Sequence, residues 1–198
     1  RPNPPTANDA PDGMSATAAT PDEDGYENSR FLLNAKATIG SQTLTGFVSA
    51  VDADTEFDEG ESSKKNREVG FTLKGSLTDI WQHSLSVGHS YERLETPAFS
   101  SVFGSHRLAV DWLNSFSLND QNSFNVGLNW SEEKGTSEDF GLVSIDQTRR
   151  NTGVFASWNG EFSINRFELT VRRDDNSQFG GKTTGQAAWG IQINDDLR

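Results

Sequence analysis

The stretch Ser105-His106-Arg107-Leu108-Ala109-Val110-Asp111-Trp112-Leu113-Asn114-Ser115-Phe116-Ser117-Leu118 alternates in polarity from one residue to the next. Leu108, Val110, Trp112, Phe116 and Leu118 fall on one face of an extended chain, and Arg107, Asp111, Ser115 and Ser117 fall on the other. A helical period would scatter that set around a cylinder. A period of two is the mark of a strand with one apolar face. The next stretch repeats it, with Val126, Leu128 and Trp130 against Asn125, Gly127, Asn129 and Ser131. Phe167, Leu169 and Val171 oppose Glu168, Thr170 and Arg172 in the same way.

Working outward, the pattern predicts about nine strands, near 30–40, 44–54, 67–77, 82–93, 104–117, 122–132, 149–162, 165–174 and 183–193. Short turns are expected around Gly40-Ser41, Thr78-Asp79, Asn119-Asp120, Ile164-Asn165 and Asn194-Asp195. Between them the sequence reads as long polar loops, near 55–66, 94–103 and 133–148. Short and long connections in alternation are what a barrel threaded through an outer membrane produces, with short periplasmic turns at one rim and long extracellular loops at the other. Trp81, Phe116, Phe124, Phe162 and Phe167 lie by the short turns, and Tyr91, Phe103 and Trp130 by the long loops, as interfacial girdles would, or as aromatics favouring the strand ends of any β-protein.

Composition agrees with one-faced β-structure. The chain has 198 residues, of which 33% are hydrophobic and 10% aromatic, with 18 glycines and a mean hydropathy of -0.65. That supply is thin for a soluble core. It suffices for a barrel, which needs an apolar band on its outside alone. The expected fold is therefore all-β: an antiparallel up-and-down transmembrane β-barrel segment of about nine strands, cut from a larger barrel. Residues 1–29, rich in Pro, Ala, Thr, Asp and Asn and without periodicity, read as a long acidic extracellular loop, and residues 30–198 as the strands. The opening, Arg1-Pro2-Asn3-Pro4-Pro5, is expected to lie in the middle of a longer chain.

A formal net charge of -12 argues against nucleic acid as a partner and points to cations instead. With no cysteine there is neither a disulfide nor a thiolate metal site. Gly180-Gly181-Lys182-Thr183 fails as a phosphate loop, because Asn176 stands where the motif needs its first Gly. Asp52, Asp54, Glu56 and Asp58 have calcium-loop spacing, yet Phe57 occupies the place of the turn Gly. His83, His89 and His106 lack metalloprotease spacing, and there is no Gly-x-Ser-x-Gly elbow. No enzyme activity is expected. Asp9, Asp12, Asp22, Glu23 and Asp24 precede one strand, and Asp52, Asp54, Asp58, Glu59 and Glu61 follow its hairpin partner. Both sets then meet at one rim, as a solvated acidic surface or as oxygen ligands for calcium.

The stretch Arg173-Asp174-Asp175-Asn176-Ser177-Gln178-Phe179-Gly180 resembles the TonB-dependent cobalamin (vitamin B12) transporters of Gram-negative outer membranes. Arg150-Asn151-Thr152-Gly153-Val154 and Gln186-Ala187-Ala188-Trp189-Gly190 flank it in the same manner. Asp22-Glu23-Asp24-Gly25-Tyr26 and Gly46-Phe47-Val48 look like the family's acidic loop and hairpin. The resemblance covers most of residues 20–198 and is specific from 149 to 190. It implies a 22-stranded barrel in the outer membrane, closed by a plug that takes energy from TonB, and importing cobalamin or a related large chelate. It also implies calcium on the acidic loops, at Asp22, Asp24 and Asp58, with Glu61 in place of an Asp and Phe57 where the family has Tyr. The plug, the energy-coupling box and the closing strands are not in this chain. The competing expectation is a soluble calcium-dependent carbohydrate-binding β-sandwich, with two packed sheets and its apolar side chains inside.

Overall fold

The computed structural model describes residues 25–57 and 60–193. They form nine strands: β1 (Tyr26–Ile39), β2 (Gln42–Phe57), β3 (Gly60–Ser76), β4 (Trp81–Thr96), β5 (Ser101–Asn119), β6 (Asn122–Asp139), β7 (Leu142–Phe162), β8 (Asn165–Asn176) and β9 (Gly180–Ile191). A single 3-10 turn, Pro97–Phe99, interrupts them. Each strand pairs antiparallel with its sequence neighbours, so one sheet runs in the order β1 to β9.

The turns explain the meander. Gly40-Ser41 and Ser163-Ile164 are two-residue connections, and Gly40 (φ 59°) and Ser163 (φ 54°) supply the positive φ that such hairpins need. At Asp120-Gln121, Asn119 Oδ1 accepts from the backbone N–H of Gln121 at 3.0 Å, fixing the bend with a side chain.

Direct cross-strand partners point to the same side of a sheet. The register places Leu33, Val48, Val69, His89 and Leu108 in one cross-strand row, and Leu73, Leu85, Trp112, Leu128, Val154 and Arg173 in another. Trp158, Leu169 and Ala187 continue the same side through β7, β8 and β9. One side of the sheet is thus an apolar band crossing all nine strands. The opposite side carries Thr45, Thr72, Ser86, Asp111, Asn129, Glu168 and Lys182.

Nothing covers the apolar band among the described residues. Leu128 is 36% exposed, Leu169 50% and Trp112 44%, and Ala53 is the lone buried hydrophobic residue among those described. This contradicts the soluble sandwich, which would bury these side chains between two sheets. Phe71, Leu33 and Val154, exposed in water, would present an apolar patch no soluble monomer sustains.

The structure departs from the sequence reading at the far rim. Residues 94–96, 101–103, 133–139 and 142–148, expected in long loops, are strand, as are 55–57 and 60–66. The connections there shrink to 97–100, 140–141 and 177–179. Phe140 (φ 53°) and Gly141 (φ 75°) both take the positive φ of a tight hairpin turn. The cause is that both sides of these overhanging hairpins meet water, so the apolar alternation that reveals a strand disappears. Ion pairs hold the ladder instead: Lys64–Glu92 at 2.7 Å, Arg149–Glu133 at 2.8 Å, Arg150–Glu132 at 2.5 Å and Lys134–Asp146 at 3.1 Å. Exposed pairs contribute less than about 1 kcal/mol each. Together with backbone pairing they suffice to keep the strands extended.

Candidate functional site

The apolar side is bounded at each rim. By the short turns, aromatic rings form a chain: Trp81 stacks on Phe116 at 5.5 Å, Phe116 faces Phe124, and Phe124 faces Trp158. Trp158 reaches Phe162 at 6.1 Å, Phe162 reaches Phe167 at 6.2 Å, and Phe167 faces Trp189. All five aromatics expected at this rim lie on the apolar side, and the sequence reading missed Trp158 and Trp189. Each tryptophan of this rim donates its indole N–H to an asparagine: Trp81 to Asn114 at 3.0 Å, Trp158 to Asn122 at 3.2 Å, Trp189 to Asn165 at 3.1 Å. The ring bodies stay apolar and their one polar atom is satisfied.

At the other margin of the band the same side turns charged. Arg67 grips Asp52 with two hydrogen bonds of 2.7 and 2.8 Å, and Arg93 pairs with Glu95. Of the aromatics expected here, Tyr91 and Trp130 lie on the apolar side. Phe103 does not: it stands opposite Leu94 and points to the polar side, so the second girdle is sparser than expected.

The polar side carries a network that the sequence did not announce. Asp111, Asn129, Gly153 and Asp174 are successive cross-strand partners on β5 to β8. Arg172 binds Asp174 through two hydrogen bonds of 2.7 Å and extends across β7 to Asn129 Oδ1 at 2.9 Å; Asn129 in turn donates to Asp111. The guanidinium lies 5.9 Å from the Phe155 ring centroid. Two glycines make room. A Cβ on Gly153 would collide with Arg172 Nη2, and one on Gly127 would collide with the Phe155 ring. The signal available in the sequence was the placing of Gly127 and Gly153 at polar-side positions of otherwise bulky strands.

Of the four expected metal ligands, Asp22, Asp24 and Asp58 lie outside the described residues. Glu61 is described: it is exposed and stands directly opposite Glu56. Glu56 also donates its backbone N–H to the Gly25 carbonyl at 2.8 Å, and its carboxylate occupies the space a Cβ on Gly25 would need. The described ends of both acidic segments therefore meet Glu56 and Glu61 at one corner of the sheet. Among the described residues no three His, Asp or Glu side chains gather as a metal cluster. All three histidines lie on the apolar side. His83 is hydrogen-bonded to Gln42 at 2.8 Å, while His89 and His106 neighbour each other on β4 and β5.

No family model matches the chain. Among curated proteins it is similar to the vitamin B12 transporter BtuB of Photobacterium profundum, 23% identical over 198 residues that cover 94% of this chain and 32% of the relative. The chain spans about a third of that relative's length. Among solved structures it is similar to the copper transporter OprC, with a TM-score of 0.62 and 9% identity over 87% of this chain and 35% of the other. The ferric citrate transporter FecA in its unliganded form gives a TM-score of 0.53 and 7% identity over 87% and 34% of the two chains. The RagAB peptide importer in its open-open state gives 0.52 and 10% over 86% and 30%. At such identities the structural likeness shows the fold, a run of barrel wall. In sequence and in strand order, the chain resembles a segment of the barrel of TonB-dependent outer-membrane receptors.

Proposed function

We propose that the chain is the central part of a Gram-negative outer-membrane barrel that actively imports cobalamin or a related large chelate, driven by TonB through a plug domain. The uncovered apolar band carries this reading. On β5 it runs from Phe116 to Leu108, about 27 Å of extended chain at ~3.4 Å per residue, which a tilted strand spends crossing a hydrocarbon layer of roughly 25 Å. The apolar side then faces lipid, the polar side faces a hydrated lumen, and the Arg172 network belongs to the lumen wall. β1 and β9 are the two edges at which further strands continue the barrel, since an unpaired edge cannot stand in hydrocarbon. The similarity to a vitamin B12 transporter supports cobalamin among the chelates. Transport of this kind requires no covalent chemistry and no catalytic residue.

Calcium belongs to the same proposal. Glu56 and Glu61 face each other with like charge, an arrangement that costs stability unless a cation lies between or beside them. In the sequence Asp22 and Asp24 precede Gly25, and Asp58 follows Phe57. Hard carboxylate oxygens from three segments match what calcium takes, six to eight oxygens at roughly 2.3–2.6 Å. Bound there, the ion would neutralise the acids and tie the segment before β1 to the β2–β3 hairpin.

The test is uptake. A strain lacking its own cobalamin receptor, given the full-length protein, is expected to grow on limiting cobalamin, and to lose that growth when TonB is deleted. Growth equal to the receptorless strain, together with no cyanocobalamin binding by the purified receptor, would remove cobalamin as cargo.

A further inference from the structure

We propose that His89 and His106 form a two-imidazole site for a divalent transition-metal ion at the charged margin of the apolar band. Tyr91 stands opposite His106 and His89 opposite Leu108, so the two histidines are diagonal neighbours on one side of the sheet. Their ring centroids are 6.1 Å apart with 45° between the planes. A metal bonded at ~2.0–2.1 Å to one nitrogen of each ring holds the centroids about 5 Å apart at a tetrahedral angle and about 6.4 Å apart when the two nitrogens are opposed. The observed spacing lies inside that range.

The surroundings favour it. Both imidazoles are exposed, and among the described residues neither makes a hydrogen bond, whereas His83 is engaged with Gln42. The charged groups facing the pair are each drawn elsewhere. Lys134, opposite His106 on β6, turns to Asp146, and Arg67, opposite Tyr91 on β3, turns to Asp52. Arg93 turns to Glu95, and Glu132, opposite Leu108, turns to Arg150. The Tyr91 ring, 4.7 Å from that of His106, walls one side, and water completes the coordination. Nitrogen ligands select Cu2+, Ni2+ or Zn2+ and not calcium, so this site is chemically distinct from the acidic corner. A bound ion would pin β4 to β5 where the wall leaves the band. The inference rests on the register of β4 and β5 and is independent of the barrel's cargo.

Titration of the full-length protein in detergent with Cu2+, in excess calcium and followed by electron paramagnetic resonance, tests it. One equivalent is expected to show a two-nitrogen signal that weakens at least tenfold in His89→Asn and in His106→Asn, and persists in His83→Asn. Circular dichroism checks that the variants fold; if one does not, the other and His106→Gln decide. A signal unchanged in both histidine variants, or no one-equivalent signal in the parent protein, would overturn the proposal.

Discussion

The indole N–H of Trp81 on β4 is held by the side-chain oxygen of Asn114 on β5, at 3.0 Å, and Asn114 is the most buried polar residue of the described sheet at 6% exposure. An asparagine on the apolar side would be a defect if its only neighbours were hydrocarbon. Here it completes an interfacial tryptophan, and Asn122 and Asn165 repeat the arrangement with Trp158 and Trp189. Asn114→Ala should lower the stability of the lipid-embedded barrel by about 0.5–1.5 kcal/mol. Denaturant unfolding in lipid, read with tryptophan emission, measures both the loss and the changed setting of the indole.

A charge placed on the apolar side meets hydrocarbon, and the same charge on the polar side meets water. Leu128→Arg, near mid-band on β6, is expected to cost about 2–4 kcal/mol in a bilayer. Ser131→Arg, on the other side of the same strand, is expected to change stability by less than about 0.5 kcal/mol. Equal costs for the two variants in lipid-based unfolding would contradict the assignment of sides.

The lumen-side network depends on a missing side chain. Gly153→Ala drives a methyl group into Arg172 and Asp174, and Gly127→Ala drives one into the Phe155 ring. Overpacking of this kind costs about 1–3 kcal/mol. Because Arg172 touches Asn129 and Asp174 at once, Gly153→Ala and Asn129→Ala should be non-additive. A double-mutant cycle giving strict additivity would show that Arg172 does not reach across β7.

The acidic corner gives a calcium prediction. Calorimetric titration of the full-length receptor should show calcium binding that weakens in Glu61→Gln and more strongly in Asp22→Asn with Asp24→Asn. Cobalamin affinity should fall with it if the ion orders the binding surface. No heat in the parent protein and no effect on ligand affinity would rule calcium out.

How much was legible follows from where water lies. Inside the band one side of each strand must be apolar, so Leu108, Val110 and Trp112 announce β5 and its orientation, and all nine strands were readable. Above the band both sides are wet, so residues 132–139 and 142–150 read as loop for most of their length although they form a paired hairpin. The diagonal meeting of His89 with His106 and the reach of Arg172 to Asn129 were not readable, because both depend on register between strands. Register is set jointly by the turns and the apolar rows, and a slip of one residue would have moved each partner to the other side. Phe103 was misplaced for a related reason: proximity to a rim says nothing about which side a residue takes.

The whole assignment rests on the apolar side meeting hydrocarbon while the polar side meets water. The chain has no native cysteine, so single cysteines can be introduced at Val110, Leu128 and Leu169 and at Asp111, Asn129 and Thr170 in the receptor reconstituted in vesicles, spin-labelled, and compared for collision with oxygen and with a water-soluble nickel chelate. The first three labels are expected to favour oxygen and the second three the chelate, out of phase along β5, β6 and β8. Labels at Val110, Leu128 and Leu169 that are shielded from both reagents, or that favour the chelate, would refute the assignment.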